Sequence, residues 1–292
     1  MSDKQTEQSG QTKPAVLTDG TLNALVAAPP RLANGVLRLA LALPRRLEIE
    51  HAAGRFVLAR CGAQSEAERA EQWSIYLRRP LFVAAPPRFE GDDLAVWQFC
   101  AVNDVQDDPG YRWLAARRAG EAVNLTGPFG IGFPLPPHVR RVLLLAEPRR
   151  LAPLLPLIDE ALDRGGQVSL LLLAQDGALD TAALRASLPL RVELHTVEDT
   201  GRGWEKSITA SLRWADQVCA ALPSSHLPAL AEAIRTTRMR LESGFAFALV
   251  DADLACGYGA CLACVVPLAN GNLTRACVHG PVFDVLELAG RG

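Results

Sequence analysis

The chain has 292 residues, with 30 basic against 32 acidic side chains and a formal charge of −2. That balance excludes the strongly basic face of a nucleic-acid or anionic-membrane binder, and no apolar run reaches the roughly 18 residues of a membrane span. Apolar residues make up 49 %, enough for sizeable cores, and the length predicts two domains with a small appendix.

Met1 to Gly20 is polar, lacks the apolar stretch of a secretory signal, and is predicted to be a disordered tail. This places the protein in the cytoplasm, where cysteines stay as thiols. Residues 21–137 read as a barrel or sandwich. β-rich runs at Val36–Leu43, Arg55–Arg60, Ser74–Leu77, Leu94–Val102 and Glu121–Leu125 are separated by turn clusters such as Ala85-Pro86-Pro87 and Asp107-Asp108-Pro109-Gly110. Gly127 to Pro134 breaks this pattern, and Pro134, Pro136 and Pro137 make a stiff linker. The period then changes. In residues 138–250, apolar strands at 141–146, 167–173, 191–196 and 216–220 alternate with helices at 151–163 and 227–238, which predicts an α/β domain with a parallel sheet. Residues 251–292 form a third segment, a Gly/Ala/Cys loop followed by a hairpin turning at Asn270-Gly271.

Seven cysteines without a secretory signal argue against a disulfide framework. Cys61, Cys100 and Cys219 sit among apolar neighbours and read as core packing. Cys256, Cys261, Cys264 and Cys277 have the spacing C-x4-C-x2-C-x12-C, the plant-type [2Fe–2S] arrangement of three loop thiolates and one from a more distant segment. The loop between them is built of small residues, Gly257, Gly259, Ala260 and Ala263, which let backbone N–H groups approach sulfur. On this reading the four sulfurs converge on one point. Zinc is the chemical rival, because Cys261-x2-Cys264 is half a knuckle, but no second short pair accompanies it. Uncoordinated thiols are the third alternative.

The stretch Ala255 to Pro267, with Cys277-Val278-His279-Gly280-Pro281-Val282-Phe283, closely resembles the electron-transfer subunits of class 1B dihydroorotate dehydrogenases, which are similar to ferredoxin reductases. The resemblance implies a flavin-binding β-barrel, an NAD-type α/β domain and a C-terminal [2Fe–2S] domain, in the order read above. It also implies FAD-binding residues. The family's Arg-Pro-x-Ser, whose Arg holds the flavin pyrophosphate, appears as Arg79-Pro80-Leu81-Phe82, with Phe82 in place of the hydroxyl. The family's Gly-Thr appears as Gly110-Tyr111, and its Gly-Pro-x-Gly-x-Gly-Phe survives as Gly127, Pro128, Gly130 and Gly132 before Phe133. The nicotinamide site departs further. A Gly-Gly-Gly-x-Gly-x-Ala-Pro turn is replaced by Ala146 to Pro153 without its glycines, and a Cys-Gly-Pro turn by Ala221-Leu222-Pro223. Glycine is needed there for close approach to a pyrophosphate, so the reading is FAD and a [2Fe–2S] cluster, with no NAD.

Among single residues, Asp251 reads as a loop cap or a group behind the cluster ligands, His279 as a surface or packing residue, and Trp204 and Trp214 as core or partner contacts. The implied function is an oxidoreductase electron-transfer subunit rather than a stand-alone enzyme. It would pass electrons to or from a catalytic partner such as dihydroorotate dehydrogenase, in pyrimidine biosynthesis. The alternative is a structural or redox-sensing iron–sulfur subunit that has lost both nucleotide sites.

Overall fold

The computed structural model describes residues 13–33, 36–47, 49, 51–63, 67–68, 71–102, 105–174, 181–198 and 204–290. The expected tail falls outside these as far as residue 12. Its remainder contributes a short strand, β1 (Ala15–Val16), paired with Leu22 and Asn23, so the sheet starts before Gly20.

The first half is an antiparallel barrel. Strands β2 (Leu22–Ala33), β3 (Val36–Pro44), β4 (Phe56–Ala59), β5 (Arg79–Glu90), β6 (Leu94–Cys100) and β7 (Ala122–Phe129) run in the order β2-β3-β6-β5-β4-β7, and a β2–β7 pairing closes the ring. Alternation along β3 explains the closure. Leu37, Leu39, Leu41 and Leu43 point inward and are wholly buried, the period-2 pattern of a strand with one face on a core.

Three expectations are corrected here. Ala85-Pro86-Pro87 does not end a strand but lies inside β5, and Pro29-Pro30 lies inside β2. Both pairs fall where the ladder register shifts, and a bulge tolerates residues that cannot donate a ladder hydrogen bond. Ser74–Leu77 is not a strand. Trp73–Ile75 is a 3₁₀ turn, and Trp73, Tyr76 and Leu77 are exposed, so their apolar pattern has no core to face. The Asp107–Gly110 cluster is also more than a turn. Asp108 caps a helix, Pro109–Ala115, with Pro109 in its first turn.

The second half is a six-stranded sheet in the order β10-β9-β8-β11-β12-β15, made of β8 (Arg141–Ala146), β9 (Gln167–Ala174), β10 (Val192–Glu198), β11 (Gln217–Ala221), β12 (Ala246–Leu249) and β15 (Val282–Asp284). All neighbours are parallel except β12 and β15. Val142 to Ala146 are all buried, as befits a central parallel strand covered on both faces. A 3₁₀ turn, Ala152–Leu154, precedes the helix Leu155–Asp163, which therefore starts later than the expected Leu151. Trp204 is buried and Trp214 half-buried against this core.

The two halves touch directly. Phe56, Phe82 and Ala84 of the barrel share one buried cluster with Ala152 and Leu154, and the Gly54 N–H donates to Pro153 O at 3.1 Å. The cysteine segment leaves the sheet at β12, forms a hairpin of β13 (Val265–Pro267) and β14 (Leu273–Arg275), and returns at β15. No described helix is long and apolar enough to cross a membrane.

Candidate functional site

The cysteine loop is shaped by positive-φ residues. Gly257 and Gly259 have φ of +80° and +72°, and Leu262 has +59°. A side chain at Gly257 would place its Cβ 2.6 Å from the Phe129 ring, so steric and conformational reasons coincide there. The loop turns its amides toward sulfur. The Gly259 N–H donates to Cys277 Sγ at 3.2 Å. Partial burial raises the pKa of Cys256, but N–H groups of Cys261, Tyr258 and Ala260 and a hydrogen bond with the Cys261 side chain outweigh it and bring the thiol down to about 6. Donors that stabilise a thiolate also stabilise a metal–thiolate bond.

The four sulfurs form two pairs. Cys264 and Cys277, both buried, lie with Sγ atoms 3.2 Å apart, and Cys256 pairs with the exposed Cys261. Cys277 lies on a short helix, Ala276–His279, after β14, held to the loop by a 2.9 Å bond from the Ala276 N–H to Cys264 O. Among the described residues, no three His, Cys, Asp or Glu side chains close on a single metal position. The two thiol pairs are neighbours, since the charge of Cys256 acts on Cys277. Burial and the neighbouring Cys264 push Cys277 up to about 12 in the free thiol form. His279 is exposed and bonded to Thr274 at 3.0 Å.

The glycine motif at the end of β7 meets this segment. The Phe129 ring stacks edge-on against Tyr258, 5.0 Å away, and tilts against Phe56 at 5.8 Å. The Ile131 N–H donates to Gly280 O, and Val250 to Pro281 O. A Cβ at Gly130 would lie 2.7 Å from Pro281, and one at Gly132 2.1 Å from His51 O. Gly130 and the Ile131 amide therefore moor the cysteine segment to the end of β7, whereas Gly127 packs against Phe56 O and Gly132 against the backbone at His51 and Ala53. Replacing Gly257 with alanine should destabilise the loop by at least about 1–3 kcal/mol, seen as a lower temperature for thermal loss of the visible chromophore.

Arg79 and Pro80 begin β5, beside Gly110 on the capped helix. The Tyr111 hydroxyl donates to Pro80 O at 2.9 Å. Arg79 pairs with Ala59, and Phe82 with Phe56, at opposite ends of β4. Arg79 and Phe82 thus stand three residues apart along β5, ~10 Å at about 3.4 Å per residue, with β4 lying between them and β7. Phe82 is buried against Phe56, 5.7 Å between ring centres.

In the α/β sheet, the order in which the strands are added reverses between β8 and β11, the switch point where such sheets bind nucleotides. Here the turn after β8 is a 3₁₀ helix, Pro148–Arg150. Arg150 bonds to Asp251, and Asp251 accepts from the Ser224 N–H at 3.1 Å. Glu147 lies 3.8 Å from the Arg150 Nε. Of the two sequence readings of Asp251, the structure favours a capping role, directed to the turn at Ser224.

A family model described as the iron-sulfur cluster binding domain of dihydroorotate dehydrogenase B matches residues 251–289. The chain is 30 % identical over 222 residues to the dihydroorotate dehydrogenase B (NAD(+)) electron transfer subunit of Bacillus caldolyticus, covering 73 % of this chain and 80 % of that one. It belongs to the family of dihydroorotate dehydrogenase B electron transfer subunits. The subunit of Desulforamulus reducens is 27 % identical, with 79 % and 84 % covered. The structure of an NADH-dependent reduced ferredoxin-NADP oxidoreductase superposes with a TM-score of 0.66 at 18 % identity, over 91 % of this chain and 89 % of the other. The fold is accordingly ferredoxin-reductase-like.

Against this family, the two thiol pairs and the amide-lined loop fit a binuclear iron–sulfur group. Arg79 is not open as it stands: its Nε donates to both Asp108 carboxylate oxygens at 2.8 Å. Asp108 escaped the sequence reading as a site residue. Its signal was the Asp-Pro of a helix start, which was read only as a turn.

Proposed function

We propose that this chain is an electron-transfer subunit that relays electrons through a [2Fe–2S] cluster to or from a catalytic oxidoreductase, dihydroorotate dehydrogenase in the first instance, within cytoplasmic pyrimidine biosynthesis. Its cofactors are the cluster and FAD. The observation that carries the reading is the match of residues 251–289 to an iron–sulfur cluster binding domain, whose four cysteines lie here in one loop-and-hairpin segment with a backbone amide turned toward sulfur. Two thiolates per iron suit a binuclear cluster. Cys256 and Cys261 would hold one iron, and Cys264 and Cys277 the other. The cluster supplies one-electron transfer, and FAD links such carriers to two-electron donors.

The chain's own residues do the rest. The Gly259 amide and the amides around Cys256 hold the thiolates in place. Cys264 and Cys277 are shielded from water, while Cys261 stands at the exposed edge, beside Tyr258 and Leu262. That edge is the shortest route for an electron leaving the protein. The flavin residues would be Arg79, Pro80, Gly110, Gly127, Pro128, Gly130 and Gly132. The division into a barrel (21–137), an α/β domain (138–250) and a cluster segment (251–292) follows from these roles.

Anaerobically prepared chain, made with cluster-assembly support, should contain about two irons and two acid-labile sulfides. A dihydroorotate dehydrogenase catalytic subunit supplied with dihydroorotate should bleach its visible bands. A zinc-only preparation would overturn the cluster. Bands that bleach with dithionite but not with the charged partner would favour the structural or redox-sensing subunit, a reading that gains weight from the ion pairs at both nucleotide positions.

A further inference from the structure

We propose that Asp108 is a built-in counterion that occupies the flavin-phosphate position at Arg79 and sets how tightly this chain takes FAD. The arrangement rests on three donors. The Asp108 carboxylate accepts from Arg79 Nε at 2.8 Å, from the Gly110 N–H at 2.7 Å and from the Tyr111 N–H at 3.1 Å. Arg79 and Gly110 are residues assigned above to the flavin, and Tyr111 holds the place of the family's threonine. One carboxylate therefore takes the donors that an incoming pyrophosphate would need.

The guanidinium matters here rather than the short helix. The Arg79 side chain is only 13 % exposed and that of Asp108 30 %, so the pair is sheltered from solvent screening. The other guanidinium nitrogens are also engaged, by Leu77 O and by Ser74 O at 3.2 Å. The site is shaped around this pairing. A Cβ at Gly110 would lie 2.8 Å from Arg79 Nε, so only glycine lets the guanidinium lie across the helix start. The Tyr111 hydroxyl ties the same turn to Pro80 O. An anion at this place must displace Asp108 and then tolerate its negative charge nearby. The two anions compete for one cation, and a charged neighbour that stays close repels the phosphate.

The inference rests on the FAD reading only for the identity of the incoming anion. The test uses full-length, cluster-loaded chain, with FAD and inorganic pyrophosphate as separate probes followed by equilibrium dialysis. Asp108→Asn keeps an acceptor for the helix cap and removes the charge. Asp108→Ser is a second variant with a shorter cap. Intact cluster bands and a single cooperative thermal transition establish that each is folded. Both variants should bind FAD at least about tenfold more tightly than the native chain. Adding Arg79→Gln to Asp108→Asn should abolish the gain. Variants that bind both probes no more tightly than the native chain would overturn the proposal. A gain for pyrophosphate that needs Arg79, without a gain for FAD, would uphold Asp108 as the competing anion and count against FAD as this site's ligand.

Discussion

Replacing Cys264 or Cys277 by alanine should take the iron content from about two per chain to near zero, with loss of the visible bands. Both side chains are nearly inaccessible, at 1 % and 2 % exposure, and they form one thiol pair across the loop. Removing either leaves its iron with one thiolate and no nearby substitute, because no third metal-ligating side chain closes on them among the described residues. The contrast is as informative as the loss. Cys61, Cys100 and Cys219 are also buried, but burial pushes their thiols up to about 12. They stay protonated and behave as small apolar groups. Cys61→Ala and Cys219→Ala should therefore keep a full complement of iron and sulfide. Iron and sulfide analysis with visible circular dichroism reads both arms. Retention of a normal cluster in Cys277→Ala would refute the ligand assignment.

NADH should bind this chain roughly two to four powers of ten more weakly than it binds a relative with the glycine turn. Each charge-assisted bond from a backbone amide to a phosphate contributes roughly 1.5–3 kcal/mol, and losing two of them accounts for that factor. The curated relatives carry NAD(+) in their names, yet the turn after β8 here is a 3₁₀ helix whose first residue, Pro148, has no N–H to offer. Glu147 adds a charge of the wrong sign. Arg150 could attract an anion, but its guanidinium already pairs with Asp251. That pairing also ties the β8 turn to the segment just before Cys256 and, through Ser224, to the turn after β11. The turns after β8 and β11 are thus tied together through Asp251 by the chain's own hydrogen bonds. Stopped-flow mixing of the cofactor-loaded chain with excess NADH should show no fast bleaching, while dithionite bleaches it fully. Fast bleaching by NADH would make this chain a reductase in its own right. Glycines at Ala146, Glu147, Pro148 and Arg150, with Leu222→Gly in the second turn, are the smallest set expected to begin restoring binding.

The cluster loop was legible in the sequence because its constraint is local. Three thiolates within nine residues, spaced by glycines, allow few other chemistries. The parallel strands were legible for a similar reason: Val142 to Leu145 form an unbroken apolar run, which a two-sided core demands. The barrel was harder to read. Alternation exposed β3, but Pro86-Pro87 in β5 looked like a break, since nothing in the local pattern distinguishes a bulge from a chain end.

The four-cysteine spacing, the barrel-then-α/β order and the loss of the nicotinamide glycines are thus properties of the sequence by itself. Only the tertiary structure decided how the charges are spent. Arg79 and Asp108 stand 29 residues apart, and Arg150 and Asp251 stand 101 apart. Periodicity reports whether a side chain faces a core, not which distant partner waits for it. Strand pairing around β4 and the sheet order β8-β11-β12 bring these partners together, and they turn Arg79, the expected flavin cation, and Arg150 of the β8 turn into internal ion pairs.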